Sequence, residues 1–391
     1  MVTIDARTEP VQALPLERLR ERTSEKWREY DADVIPMFVA ETDFPLAPAI
    51  AAALHRAIEL GDTGYTASRN PLAEAYAEFA QRRYGWTVDP ATVRSTADVS
   101  MGIVEILRRI TSPGDRVVVT PPVYPPFYDL IEEAGAVDER VPLLRTGNGW
   151  ELDLPGIEAA FAGGARAFLL CNPHNPTGTV HSRETLAALA RLAARFGVRV
   201  VSDEIHAPLT QPGVLFTPFL DAAPEAREIG FAVASASKAF NLAGLKCAVM
   251  VTAGERTGRV VRGMPVEVEW RTSQLGMLAS VAALSPESDA WLDGLLLTLD
   301  QNRRLLADLL AEHLPGARYI APDAGYLAWV DLTALGWGRN PAKRILRDAK
   351  VAFHFGPAFG EEGVGHVRIN FGCSPEVLRE AMERVGAVVD S

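Results

Sequence analysis

Short apolar runs alternate with helical patterns from about residue 90 to residue 255, the arrangement of a mainly parallel α/β sheet. DRVVVT (115–120), RAFLLC (166–171), VRVVS (198–202), IGFAVAS (229–235) and KCAVMV (246–251) read as strands, because apolar and β-branched residues crowd into runs too short for a helix. Between RAFLLC and VRVVS lies a clear helix. Ser182 can cap its start, Leu186, Leu189, Ala193 and Phe196 share one face, and Gly197 can end it in the left-handed conformation. A longer helical stretch carries Trp291, Leu295 and Leu305. Beyond it, HVRINFG (366–372) reads as a strand and Ser374-Pro375-Glu376 as a helix start, with proline at the first helical position.

The first 45 residues are loop-rich and are expected to pack with the C-terminal part. A chain of 391 residues is long enough for two domains, here expected as a large unit over 46–275 and a small one from 1–45 and 276–391. Hydrophobic residues make up 48% and charged residues 23%, which suits a packed globular protein. The net charge of −11 argues against a nucleic-acid partner and gives no support for docking on an anionic membrane. MVTIDARTEP lacks a basic region followed by an apolar core, so no signal peptide is expected. No run approaches the roughly 18 apolar residues that span a bilayer. Cys171, Cys247 and Cys373 are odd in number and scattered, which fits neither a disulfide framework nor a metal site. The expectation is a cytoplasmic protein whose cysteines are packing residues.

Unusual polar residues follow four of the strands. VVVT leads to PPVYPPF with Tyr124, FLLC to NPHNPTG with Asn175, VVS to Asp203 and His206, and FAVA to SASK with Lys238. All four positions are carboxyl ends, the edge where open α/β sheets bind ligands. An amine, a buried acid and amide or imidazole donors on one edge suit pyridoxal 5′-phosphate (PLP), whose aldehyde forms an imine with an amine and whose ring accepts electrons. Lys238 is the candidate for the imine and for the general base. Asp203 would stabilise the protonated ring nitrogen. Asn175 and His206 would donate to the ring oxygen, and Tyr124 would stack on one face. The phosphate would lie at the helix entry in DVSMGIVEILRRI (98–110), at Val99, Ser100 and Met101, with Ser235, Ser237 and Lys246 flanking the same edge.

NPHNPTG, SDEIH and SASKAFNLAGLK, in that order and spacing, resemble the fold-type I PLP enzymes of the aspartate aminotransferase superfamily. The resemblance implies a mainly parallel seven-stranded sheet sandwiched by helices, plus a smaller α/β domain. It implies that Arg368, in RIN, grips the substrate α-carboxylate. It further implies a homodimer in which Tyr65, in GDTGYTA, reaches the cofactor phosphate of the other subunit. RTSEKWREYDADVIPMFVAETDF, PPVYPPF and DEIHAPL are similar to the cystathionine β-lyase-type carbon–sulfur lyases of the MalY/PatB group. In that group Ala40 is expected to contact substrate, and His206 replaces the tyrosine usual in aminotransferases. Three positions depart from the pattern. Ala40-Glu41-Thr42-Asp43 stands for the commoner ADMD, Pro125 follows Tyr124 where some relatives have a second tyrosine, and Lys246 replaces an arginine. The first two lie near the expected substrate entrance and bear on the substrate rather than the cofactor.

The expected reaction is β-elimination from a small amino acid, a cysteine S-conjugate or cystathionine, giving a thiol, pyruvate and ammonia. Transamination, possible in a specialised biosynthetic pathway, needs the same Lys238, Asp203, Asn175 and Arg368. A PLP-binding regulator on the same scaffold is the alternative of another class, but the 45 residues before the sheet are too few and too acidic for a DNA-binding module.

Overall fold

The computed structural model describes residues 4, 7–66, 71–147 and 149–388; most of the opening MVTIDA, read above for a targeting segment, lies outside them. In chain order the strands are β1 (Ile35–Met37), β2 (Val93–Thr96), β3 (Arg116–Val119), β4 (Val137–Arg140), β5 (Leu144–Thr146), β6 (Gly149–Glu151), β7 (Ala167–Cys171), β8 (Arg199–Asp203), β9 (Gly230–Ala234), β10 (Ala248–Val251), β11 (Arg318–Tyr319), β12 (Leu327–Asp331), β13 (Val351–Phe355) and β14 (His366–Asn370). All five strands expected between 115 and 251 are present.

Seven strands form one sheet in the order β2-β10-β9-β8-β7-β3-β4. Every pair is parallel except the two made by β10. Both faces are dry. Val118, Phe168, Leu170, Val200 and Ala232 pack into one apolar cluster, and Val117, Val119, Leu169, Val201 and Phe231 into another. This is why the strands read as unbroken apolar runs and not as alternating ones. The register sets Cys171 beside Asp203 and Asp203 beside Val233, so these carboxyl ends finish level.

Helix ends follow the local signals. Ser182 Oγ accepts from the Thr185 amide, Gly197 closes that helix at φ 70°, and Ser374 Oγ accepts from the Val377 amide. The helix Val99–Ile110 is capped by Asp98, whose Oδ1 accepts from the Met101 amide at 2.8 Å. Gly102 lets this helix lie close on the sheet. A Cβ there would stand 3.2 Å from Val233, 3.3 Å from Thr96 and 3.4 Å from Met250.

The second sheet runs β1-β13-β14-β12-β11. β1 pairs in parallel with β13, joining the N-terminal segment to the C-terminal part, as expected. Among the described residues no helix is long and apolar enough to cross a membrane.

Candidate active site

A crevice of about 460 Å³ opens at the carboxyl edge of the large sheet, against the face of β14 that carries Arg368. Tyr124, Asn175, Asp203, His206, Lys238, Arg368, Ala40, Val99 and Ser100 all line it. Residues almost 330 positions apart therefore meet in one place, within the size range of small-molecule sites.

Each side chain is held by the element that carries it. Asp203 ends β8, and its Oδ1 accepts from the Ile205 amide at 3.0 Å. Burial raises its carboxyl to about 7, against the pull of that amide and of Lys238. The Lys238 Nζ donates to the Ala40 carbonyl at 3.3 Å. Burial first, then the Arg368 guanidinium, lower its amine to about 8. Burial also lowers His206 to about 3, so its ring is neutral, and its Nδ1 is buried without a partner. Arg368 donates from Nη1 to Asn175 Oδ1 at 3.1 Å and from Nη2 to the Phe38 carbonyl at 2.8 Å. The first contact commits the oxygen of Asn175 and leaves its NH₂ to donate. Arg368 Nε is buried and unpartnered.

These features fit PLP. A buried carboxylate raised this far lacks a compensating cation, and a protonated pyridine nitrogen supplies one. The helix Val99–Ile110 starts at the crevice, and its Val99 and Ser100 amides belong to the first turn, where no intrahelical acceptor exists. A helix start of this kind suits a phosphate.

Five expected residues are not among those lining the crevice. The Met101 amide is taken by Asp98, so it is not a free phosphate donor. Ser235 spends its hydroxyl proton on the Cys247 carbonyl at 2.7 Å and accepts the Ser237 amide at 3.1 Å, which braces the loop before Lys238. Lys246 is exposed, and its Nζ pairs with Asp98 Oδ2 at 2.9 Å. Tyr65 is 96% exposed and contributes nothing to the crevice of its own chain. The three cysteines are buried and free. Cys171 touches the crevice, and burial holds its thiol well above the usual range.

Sequence reasoning missed the frame around Ala40. Tyr326 is fully buried and donates to the Ala40 carbonyl at 2.9 Å, sharing it with Lys238. Asn370 Nδ2 donates to the Val39 and Glu41 carbonyls at 2.7 and 2.6 Å. Period-two alternation on β14 was the available signal, since it puts Asn370 on the side of Arg368. Below this segment, Lys26 and Asp43 form an ion pair at 2.8 Å, both 1% exposed at the side chain. Glu25, Asp129, His354 and Phe355 at the crevice were missed as well; they sit on separate elements, with no local pattern to link them.

The family model of aminotransferase class I and II matches residues 32–385. A cystathionine beta-lyase of Corynebacterium glutamicum is 34% identical, covering 96% of this chain and 99% of its own. Cystathionine beta-lyase PatB of Bacillus subtilis is 33% identical, covering 91% and 93%. Among solved structures, a PLP-bound C-S lyase from Staphylococcus hominis superposes with a TM-score of 0.88 at 27% identity, over 94% of this chain and 96% of that one.

Proposed function

The chain belongs to the aminotransferase class I and II family, and from that premise we propose a PLP-dependent carbon–sulfur β-lyase that splits cystathionine or a cysteine S-conjugate. The observation that carries the reading is a lysine amine and a buried acid facing one crevice, with an arginine across from them. The lyase names of the relatives favour elimination over transamination.

Bound PLP supplies an aldehyde for the substrate amine and a ring that takes up the electrons released at Cα. Lys238 holds the cofactor until substrate arrives, and its freed Nζ then takes the Cα proton. Its lowered basicity suits it to accept a proton near neutral pH. The Ala40 carbonyl, fixed by Tyr326, keeps that amine at the crevice. Asp203 would hold a proton at the ring nitrogen, and neutral His206 and the Asn175 amide would donate to the ring oxygen, with Tyr124 over one ring face. Val99 and Ser100 would receive the phosphate, with Lys246 balancing the charge of the Asp98 cap beside them. Arg368 orients the substrate α-carboxylate. The Cβ–S bond breaks with its electron pair to sulfur, the thiolate takes the Cα proton back from Lys238, and the released enamine adds water to give pyruvate and ammonium.

We also assign a large unit to 46–275 and a small one to 1–45 with 276–391; the strands of the two main sheets are distributed in that way. A homodimer with shared sites is supported by the exposure of Tyr65. Free buried cysteines support the cytoplasm as compartment.

Incubation with L-cystathionine is expected to release pyruvate and a free thiol in equal amounts. Parallel reactions with amino donors and 2-oxoglutarate should yield little glutamate. Glutamate without pyruvate would make the chain a transaminase instead.

A further inference from the structure

The crevice holds more negative charge than the reaction uses. Its lining carries two cationic side chains, Lys238 and Arg368, and three carboxylates, Asp203, Glu25 and Asp129. Lys238, Arg368 and Asp203 are taken by base, α-carboxylate and ring nitrogen in the reading above. Glu25 and Asp129 are left over. Both are exposed in the single chain, and among the described residues neither has an ion pair or a side-chain hydrogen bond, although Glu25 lies near enough to Lys238 to favour its charged form.

The other unassigned groups at the mouth point the same way. His354 lies across from Arg368 in the strand pairing. Its Nδ1 is 3.3 Å from the Phe355 carbonyl. A carbonyl only accepts, so Nδ1 carries the hydrogen and Nε2 presents a lone pair. Burial first, then Arg368, lower the ring to about 4, so it stays neutral near pH 7. Phe355, 48% exposed, stacks on His354 with centroids 5.1 Å apart. An open aromatic face attracts cations.

We propose that this acidic, aromatic mouth selects substrates whose sulfur carries a cationic group, such as an alkylammonium, and disfavours those whose sulfur carries only a carboxylate. The inference deepens the β-lyase reading and rests on it for the chemistry. A second carboxylate finds no remaining cation among the described lining residues; it meets Glu25 and Asp129. L-Cystathionine satisfies the rule with its distal ammonium, its distal carboxylate remaining at the open side.

Three near-isosteric probes test this. S-(2-Aminoethyl)-L-cysteine, S-propyl-L-cysteine and S-(2-carboxyethyl)-L-cysteine differ mainly in the charge beyond sulfur. Two exposed charges attract the first and repel the last, so kcat/KM for pyruvate release should favour aminoethyl over carboxyethyl by about tenfold or more at low salt. The ratio should shrink in added NaCl, because exposed charges are screened. It should fall toward unity in the E25Q/D129N double variant. Equal rates, or a preference for the carboxyethyl compound, would overturn the proposal, as would a ratio unmoved by both salt and the double variant. If none of the three releases pyruvate, L-cystathionine decides the lyase reading, which fails if it releases none either. The charge rule is then judged from the concentrations at which each amino acid shifts the absorbance of bound PLP. The same ranking sustains it, and any other ranking rejects it.

Discussion

Asp203, the proposed partner of the ring nitrogen, would couple the cofactor to the fold. Its carboxyl is raised to about 7 from an ordinary 3.8 because burial removes it from water. The folded apoprotein therefore keeps a proton that the unfolded chain releases. This contribution to stability is complete below the unfolded value and is lost as pH rises through 7. An Asp203→Asn variant has the same shape and no charge to bury. In the apo form it should gain on the wild type between pH 4 and pH 8, by up to about 4 kcal/mol at the upper end. Urea midpoints of both apoproteins at pH 5 and pH 8 measure the difference, and parallel pH dependences would contradict the argument. With PLP bound the order should reverse at neutral pH, since a pyridinium compensates the carboxylate but not the amide.

The helix Val99–Ile110 is the element whose position matters most, because its first turn is the proposed seat of the phosphate. It sits close to the sheet through Gly102, where added atoms would press on Val233, Thr96 and Met250. A Gly102→Val variant is expected to lose about 1–3 kcal/mol by overpacking. It should also bind PLP more weakly, because the start of the helix moves with the helix. Titration of apoprotein with PLP, followed by absorbance, separates the two effects. Unchanged cofactor affinity in a destabilised variant would mean that the helix start does not hold the phosphate. The segment around Ala40 is the second such element. It lacks regular structure beyond β1, and Tyr326, Asn370, Asn241 and the buried Lys26–Asp43 pair fix its path.

At the scale of the whole molecule, the proposed dimer makes each site depend on two chains. Tyr65 and Lys238 would then serve different sites within one protomer. Tyr65→Ala and Lys238→Ala should each be nearly inactive as homodimers. Unfolding and refolding the two variants together should restore activity, because one site of each mixed dimer combines an intact Lys238 with an intact Tyr65. Failure of the mixture, with mixed dimers verified by mass, would place Tyr65 outside the site.

The parallel sheet was legible from runs of apolar residues, because strands buried on both faces need no polar alternation. The gathering of Asn175, Asp203 and Lys238 at one sheet edge was legible for a related reason: a strand that stops at a crevice leaves its polar residues just past its end. Local chemistry also set the caps at Ser182 and Ser374. The unread part consists of contacts between distant segments. Whether Ser235 spends its proton on a phosphate or on Cys247 depends on which acceptor the folded loop brings within reach. The Lys246 ammonium meets Asp98 because the helix cap lies beside it in space, not in sequence. The contacts of Tyr326 and Asn370, and the meeting of Glu25 and Asp129 at one mouth, arise only once β12, β14 and the N-terminal segment close around one crevice. Periodicity in a sequence reports which face of an element is dry; it carries no information about which foreign atoms will arrive there.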